Sequence, residues 1–137
     1  MIHGTITALV TPFKDQAIDF SSLERLVKNQ LENGIQGLVV CGTTGESPTL
    51  SIDEKLKILD FVCEKVEGQV PIIFGSGTND TASTISLSKL AAERPIDALL
   101  VVVPYYNKPP QRGLIAHFEE VANASSKPLL PVSYTHL

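Results

Sequence analysis

The chain has 137 residues, a length that allows one domain with a real core but not two. Hydrophobic residues make up 43% and charged residues 19%, which is typical of a globular protein rather than a disordered one. The net charge is −4 and there is no run of lysine or arginine, which argues against a nucleic-acid or membrane-binding surface. Because the sequence has neither a signal-peptide pattern nor an apolar run of the ~20 residues that a membrane span needs, it predicts a cytoplasmic protein.

Five short apolar segments predict the strands of a sheet. They cover residues 5–10, 37–41, 71–75, 98–103 and 128–130. The three in the middle are nearly continuous Leu, Ile and Val, a pattern that indicates strands covered on both faces of a parallel sheet. The two cysteines, Cys41 and Cys63, lie in neither a CxxC pattern nor a Cys/His cluster, so we expect reduced thiols and no metal site.

Amphipathic helical patterns fill the four gaps between these strands. The predicted starts are a capping box at Ser21 and Glu24, a second capping box at Ser51 and Glu54, a cap at Asn79 or Asp80, and about Gln111. The predicted ends are Gly34, Gly68, a residue before Pro95, and Ala124. The result is β-α-β-α-β-α-β-α-β with a period of roughly 30 residues, the length of a βαβ unit.

Two α/β architectures fit this order. One is a complete doubly wound sheet acting as a small binding or signalling domain, and the other is the N-terminal half of a (β/α)8 TIM barrel. Polar loops follow the second, third and fourth strands, at residues 42–49, 76–81 and 105–108. In a barrel such loops converge on one mouth, whereas Pro12 removes an N–H from the loop where a doubly wound phosphate site belongs. The barrel is therefore favoured, and it predicts that the first strand lies at an edge of the sheet rather than inside it.

The stretch from Gly42 to Pro48 comes directly after the second strand and is the main candidate for a site. Its glycines allow a tight turn that exposes backbone N–H groups. The N–H and hydroxyl of Thr44 are suited to hold a small carboxylate, and the hydroxyl of Thr43 to relay a proton. An ordinary strand-to-helix turn has the same composition, so these residues alone leave both interpretations open.

Four segments in register are similar to the dihydrodipicolinate synthase family of pyruvate-dependent class I aldolases. They read LVTPF at 9–13, CGTTGESPTL at 41–50, FGSGTND at 74–80 and VPYYNKPPQ at 103–111. The resemblance implies a TIM barrel that assembles as a homotetramer of tight dimers and uses no cofactor or metal. GTTGES together with PYYN resembles the synthase more than its sister enzyme N-acetylneuraminate lyase, although a sister aldolase remains the alternative.

The resemblance implies a lyase of lysine and diaminopimelate biosynthesis. In this family a lysine amine forms a Schiff base with pyruvate, whose enamine attacks L-aspartate 4-semialdehyde to give 4-hydroxy-tetrahydrodipicolinate. By motif position Thr43 matches a proton-relay threonine, Thr44 the residue that holds the pyruvate carboxylate, and Tyr106 a relay tyrosine given across the tight dimer. A plain turn hydroxyl for Thr43 and an interface or core aromatic for Tyr106 are the structural alternatives. Glu46 is expected to orient the loop rather than to act as a base.

Asn79 and Tyr105 match positions that line the family's lysine-feedback pocket. The histidines and acid of that pocket are replaced here by Ile52, Lys55 and Ser83. Because a lysine side chain repels the ammonium group of bound lysine, we predict an enzyme that is insensitive to lysine. His117, on the fourth helix, is predicted to lie on the surface.

The resemblance places the Schiff-base lysine at the end of the sixth strand, and this chain reaches about the fifth. Residues 1–130 are therefore expected to form the N-terminal half of the aldolase domain, inactive and prone to associate when made alone. Residues 131–137 depart from the family pattern, since Pro131 interrupts strand hydrogen bonding and Tyr134 is out of register for a second relay tyrosine. We expect this tail to be foreign or frameshifted.

Overall fold

The computed structural model describes residues 2–134, so residues 135–137 of the predicted foreign tail lie outside the described part. The strands are β1 (Thr7–Ala8), β2 (Phe13–Lys14), β3 (Ala17–Ile18), β4 (Leu38–Val40), β5 (Ile72–Gly75), β6 (Ala98–Val102) and β7 (Leu129–Val132). The helices are α1 (Phe20–Glu32), α2 (Ile52–Val66), α3 (Thr81–Ala92) and α4 (Gln111–Ala124). Within the described residues, none of these helices is long and apolar enough to cross a membrane.

Five of the strands form one parallel sheet, in the order β1-β4-β5-β6-β7. Each strand therefore pairs with the next major strand along the chain, and the first strand lies at an edge. A doubly wound sheet would place β1 between two neighbours, so that alternative is wrong. The order is the one expected for consecutive strands of a (β/α)8 barrel, and the prediction of half a barrel with five parallel strands and four helices is confirmed.

The two faces of the sheet differ in their surroundings. Side chains alternate along each strand, and Leu38, Phe74 and Leu99 point to the face covered by helices, where each is fully buried. The opposite face carries Val39 and Leu100, which are only partly buried. This second face corresponds to the interior of a barrel. The core of the described chain therefore lies between the sheet and its helices.

Helix starts follow the local capping signals in most places. Ser51 and Glu54 form the predicted capping box of α2, with both reciprocal bonds present. Asp80, one of the two predicted caps, accepts the amide N–H of Ser83 at the start of α3. The predicted capping box at Ser21 is wrong: the N-cap is Asp19, whose carboxylate accepts the amide N–H of Ser22 at 3.0 Å. Aspartate is as good an N-cap as serine, and the aromatic residue between them conceals the earlier start.

A small hairpin between β1 and α1 was not predicted. Strands β2 and β3 pair antiparallel, with Phe13 opposite Ile18. The turn between them places Asp15 and Gln16 at φ 51° and 64°, the left-handed conformation of a two-residue hairpin turn. The sequence lacks the glycine or asparagine that usually marks such a turn, so no hairpin signal was visible.

Strand β7 continues two residues past its predicted end and includes Pro131. The N–H of Leu99 donates to the carbonyl of Pro128, and the N–H of Val103 donates to the carbonyl of Val132. The backbone N–H and C=O groups of even-numbered residues in β7 therefore point toward β6, and the backbone nitrogen of Pro131 points toward the open edge. Proline is tolerated there because no donor is required on the open side of an edge strand.

Candidate functional site

A mostly apolar cavity of about 220 Å³ lies at the carboxyl ends of β4, β5, β6 and β7. Its wall includes Thr43 and Ser47 from the turn after β4, Gly75 and Gly77 after β5, and Tyr105 after β6. Among the described residues that line it, none is charged. In such surroundings a hydrogen bond from a hydroxyl or an amide to an anion is stronger than in water.

The turn after β4 consists of two consecutive short 3₁₀ turns, Thr43–Gly45 and Ser47–Thr49. Cys41, before the first turn, and Glu46, between the two turns, adopt left-handed backbone conformations, with φ of 55° and 58°. Neither residue is glycine, so each carries a steric cost that the surrounding structure must offset. Such strained residues cluster at binding and catalytic sites. The prediction that this stretch is a tight turn at a strand end is confirmed.

Thr43 directs its hydroxyl toward the end of β7. Its Oγ1 lies 3.1 Å from the phenolic oxygen of Tyr134, within hydrogen-bond distance. Thr44 follows directly and is exposed, but it is not among the residues that line the cavity. The sequence did not assign Tyr134 to the site, because its register differs from the family pattern. The structure nevertheless brings a tyrosine hydroxyl to Thr43.

The turn is tied to the segment that follows β1 by a side chain that the sequence analysis did not single out. The Thr11 hydroxyl is buried and donates to the carbonyl of Gly45 at 2.8 Å. Gly45 packs so closely that a Cβ there would lie 3.2 Å from the carbonyl oxygen of Leu9. Thr11 belongs to the LVTPF segment. A threonine before a proline is common in loops, so the sequence alone does not show that this one bonds to a neighbouring loop.

The loops after β5 and β6 are joined by hydrogen bonds. The side-chain amide of Asn107 donates to the carbonyl of Asn79 at 3.0 Å. Thr78 is held in turn by Thr84, whose hydroxyl accepts the Thr78 amide N–H at 3.0 Å. Asn79 is therefore held through its backbone next to the loop that carries Tyr105. The two predicted feedback-pocket positions lie on adjoining loops, with only Tyr105 lining the cavity.

Tyr106 points away from the cavity within this chain. Its side chain is 93% exposed, and its backbone adopts φ 71°. Tyr106 therefore has no packing role within the described residues, and nothing in them supports the core-aromatic interpretation. The structure does not bring Tyr106 together with Thr43 in a single chain.

Lys55 is the charged residue closest to being fully buried, at 7% exposure among the described residues. It lies on α2 near Cys41, and burial lowers the pKa of its ammonium group. Burial also raises the pKa of the Cys41 thiol to about 12, which favours the neutral thiol at the edge of the cavity. Lys55 does not line the cavity at the strand ends. It is therefore not placed to attack a ligand bound there.

The surface prediction for His117 is wrong. This residue is 4% exposed and lies between α4 and the start of α3, where its Nδ1 is 2.9 Å from the hydroxyl of Thr81. Its Nε2 is buried without a hydrogen-bond partner among the described residues. Burial lowers the pKa of the imidazole, partly opposed by the charge of Asp80. The pattern of residues around His117 in the sequence does not show that it faces α3.

Comparison with known proteins decides between the aldolase barrel and other parallel α/β folds. Residues 1–132 match the family described as the dihydrodipicolinate synthetase family. The chain belongs to this family. The 4-hydroxy-tetrahydrodipicolinate synthase of Bdellovibrio bacteriovorus is 53% identical over 127 residues, which are 93% of this chain and 43% of that protein.

Solved structures of dihydrodipicolinate synthases superpose closely on the chain. The enzyme from Thermotoga maritima gives a TM-score of 0.93 at 46% identity, covering 96% of this chain and 44% of that one. The enzyme from Acinetobacter baumannii, solved in complex with pyruvate, gives a TM-score of 0.93 at 42% identity, covering 96% and 45%. The chain thus spans less than half the length of the relatives that it matches.

Proposed function

We propose that this chain supplies the N-terminal half of a 4-hydroxy-tetrahydrodipicolinate synthase, which condenses pyruvate with L-aspartate 4-semialdehyde. The observation that carries the proposal is the Thr43 hydroxyl in an uncharged cavity at the carboxyl ends of the strands. The family match and the pyruvate complex of the Acinetobacter baumannii relative support pyruvate as the first substrate. The full-length enzyme is proposed to be a cytoplasmic homotetramer of tight dimers that needs no cofactor.

In the proposed reaction a lysine amine from the part of the barrel after β7 attacks the pyruvate carbonyl, and water leaves to form an imine. The imine makes the methyl group acidic enough to lose a proton, and the resulting enamine carbon attacks the aldehyde. The Thr43 hydroxyl passes the protons that these steps release and consume. The amide N–H and hydroxyl of Thr44 hold the pyruvate carboxylate.

Tyr106 is proposed to act in the neighbouring subunit rather than in its own. Its near-complete exposure and its strained backbone support this role, because an aromatic ring held out in solvent is stabilised once a partner covers it. Asn79 and Tyr105 are proposed to lie beside a regulatory pocket formed at the same dimer contact.

The test is a hybrid enzyme that joins residues 1–130 of this chain to the remaining portion of the Thermotoga maritima synthase. The hybrid is expected to consume pyruvate and aspartate semialdehyde, and borohydride is expected to trap one pyruvate per chain, detected by mass spectrometry. Thr43→Val is expected to lower kcat by about 10²-fold or more, the range for a lost proton-transfer group, while Thr43→Ser retains most activity.

Two outcomes would contradict the proposal. A hybrid that traps pyruvate but cleaves N-acetylneuraminate and does not condense aspartate semialdehyde would favour the sister lyase. An active hybrid in which Thr43→Val keeps the kcat of the unmodified protein would remove Thr43 from the proton relay.

Residues 131–137 are proposed to be foreign to the family. Pro131 supports this proposal, because it lacks an amide N–H at the edge where the next strand of a barrel would pair. The family match nevertheless extends to residue 132. Because Tyr134 lies in the proposed foreign segment, no role is assigned to it. Re-sequencing the source gene tests the proposal, and an intact family-like frame through these codons would refute it.

A further inference from the structure

We propose that Thr11 is a positioning residue of this site, which fixes the turn carrying Thr43 by bonding to its backbone. The inference rests on the proposed function, because it assigns Thr11 a role in holding the proton relay. It is carried by a hydrogen bond that joins two parts of the chain 34 residues apart, from the Thr11 hydroxyl to the carbonyl of Gly45.

The bond extends the pairing of β1 with β4 beyond the strands themselves. The N–H of Leu9 donates to the carbonyl of Val39 at 3.0 Å, and Thr11 lies two residues farther along the chain. Opposite Thr11, the chain has already left β4 and entered the turn that carries Thr43. The Thr11 hydroxyl therefore continues the connection between these two segments by bonding to the turn itself.

Burial makes this bond costly to lose. Thr11 is 5% exposed and Gly45 is buried, so water cannot readily replace the hydroxyl as a donor. A buried carbonyl that loses its donor retains the cost of desolvation, which favours movement of the turn toward solvent. The amide N–H of Gly45 is already donated to the carbonyl of Gly42 at 3.0 Å, so movement of Gly45 is transmitted through the short turn that contains Thr43.

Movement of that turn displaces the proton relay. Thr43 lies two residues before Gly45 in the same 3₁₀ turn. A displacement of about 1 Å at a reacting group can cost about 10²-fold in rate. Thr11 itself is outside the cavity and does not line it. Its effect is therefore on where Thr43 lies and not on contact with the substrate.

The matched control is Thr7, which lies on β1 in the same N-terminal segment as Thr11 and also donates a hydroxyl hydrogen bond. Its partner is Gln30 of α1, at 2.7 Å, and not a residue of the turn that carries Thr43. Thr7→Val and Thr11→Val each remove a threonine hydroxyl from this segment. Only Thr11→Val removes a contact to the site, while Thr11→Ser keeps the donor and loses only a methyl group.

The first measurement is hydrogen exchange of the hybrid enzyme, in which the sheet edges are paired, followed by mass spectrometry of a peptide covering residues 42–50. Thr11→Val is expected to speed amide exchange in this peptide by about tenfold, the effect of losing one buried hydrogen bond. Thr7→Val and Thr11→Ser are expected to stay within about twofold of the unmodified chain. Equal exchange in the Thr11→Val and Thr7→Val chains would overturn the proposal.

The second measurement is kcat of the hybrid enzyme carrying the same three substitutions. Thr11→Val is expected to lower kcat about tenfold or more, with Thr11→Ser restoring it and Thr7→Val leaving it within about twofold. An unchanged kcat in Thr11→Val, or an equal loss in Thr7→Val, would show that Thr11 is only structural. Absence of synthase activity in the unmodified hybrid would count against the proposed function, and the exchange measurement would still decide the role of Thr11.

Discussion

Gly75→Ala is expected to disturb both the stability of the barrel and the geometry of the site. Gly75 ends β5 and lines the cavity, and its Cα faces the backbone of Cys41. A Cβ at this position would lie 2.7 Å from the carbonyl carbon of Cys41, with the carbonyl oxygen closer still. Non-bonded heavy atoms normally stay roughly 3.5–4.0 Å apart, so one of the two backbones must move by about 1 Å.

The clash involves backbone atoms on both sides, so no side chain can rotate to relieve it. Overpacking of this kind typically costs 1–3 kcal/mol, and about 3 kcal/mol is expected here. This chain covers 44% of the Thermotoga maritima synthase, so the hybrid has roughly 300 residues. At about 2.1 cal/mol/K of unfolding entropy per residue, a loss of about 3 kcal/mol should lower the melting temperature of the hybrid enzyme by about 5 °C.

Scanning fluorimetry of the hybrid measures this effect, with Gly113→Ala as the control. Gly113 lies in α4, and an added Cβ there meets the ring of Pro109 at 3.2 Å rather than a backbone. Because alanine also has the higher helix propensity, Gly113→Ala should change the melting temperature much less. If Gly75→Ala melts no lower than Gly113→Ala, the close approach of β5 to the end of β4 is wrong.

Three other outcomes follow from the described structure. L-lysine should not inhibit the hybrid enzyme, if Ile52, Lys55 and Ser83 take the places of the feedback-pocket residues as the family resemblance implies. Inhibition at sub-millimolar lysine, measured by titration, would refute this. The free energy of unfolding should fall as the pH drops below about 6.5, because His117 binds a proton more readily in the unfolded chain than in the folded one. Urea titrations at several pH values measure this effect, and the free energy of unfolding of His117→Asn should depend less on pH. The full chain made alone should self-associate through the open edges of β1 and β7 and should lack synthase activity; a stable monomer with a cooperative melt in light scattering and calorimetry would contradict this.

The sheet could be predicted from the sequence because its signals are local and repeated. Three nearly continuous apolar runs indicated buried parallel strands, and a capping box at Ser51 fixed the start of α2. The end of α4 at Ala124 was also correct. The exact ends of some elements were predicted wrongly. The N-cap of α1 is Asp19 and not Ser21, because two residues of similar capping chemistry lie close together in the chain.

The errors at single residues have a different origin. His117 lies between an alanine and a phenylalanine, with two glutamates next along the chain, so no period marks it as buried; its burial comes from α3, which packs against α4. Thr11 gave no signal because its partner lies 34 residues away. Both side chains make a hydrogen bond to a distant segment of the chain, Thr11 to the carbonyl of Gly45 and His117 to the hydroxyl of Thr81. A one-dimensional pattern records the period of a helix or strand but not which polar atom on a neighbouring element lies within 3 Å.

The site depends both on the order of the elements and on contacts between distant residues. Parallel topology places the turn after β4 at one mouth with the loops after β5 and β6, and this follows from the order of the elements alone. The conformation of the turn does not, because Cys41 and Glu46 occupy left-handed backbone regions that their residue types disfavour. Something outside the turn must hold it there, and the buried Thr11 hydroxyl and the close packing of Gly45 against Leu9 are the contacts in position to do so. The segment that directly follows the edge strand β1 thereby contributes to the placement of Thr43, although it supplies none of the described residues that line the cavity.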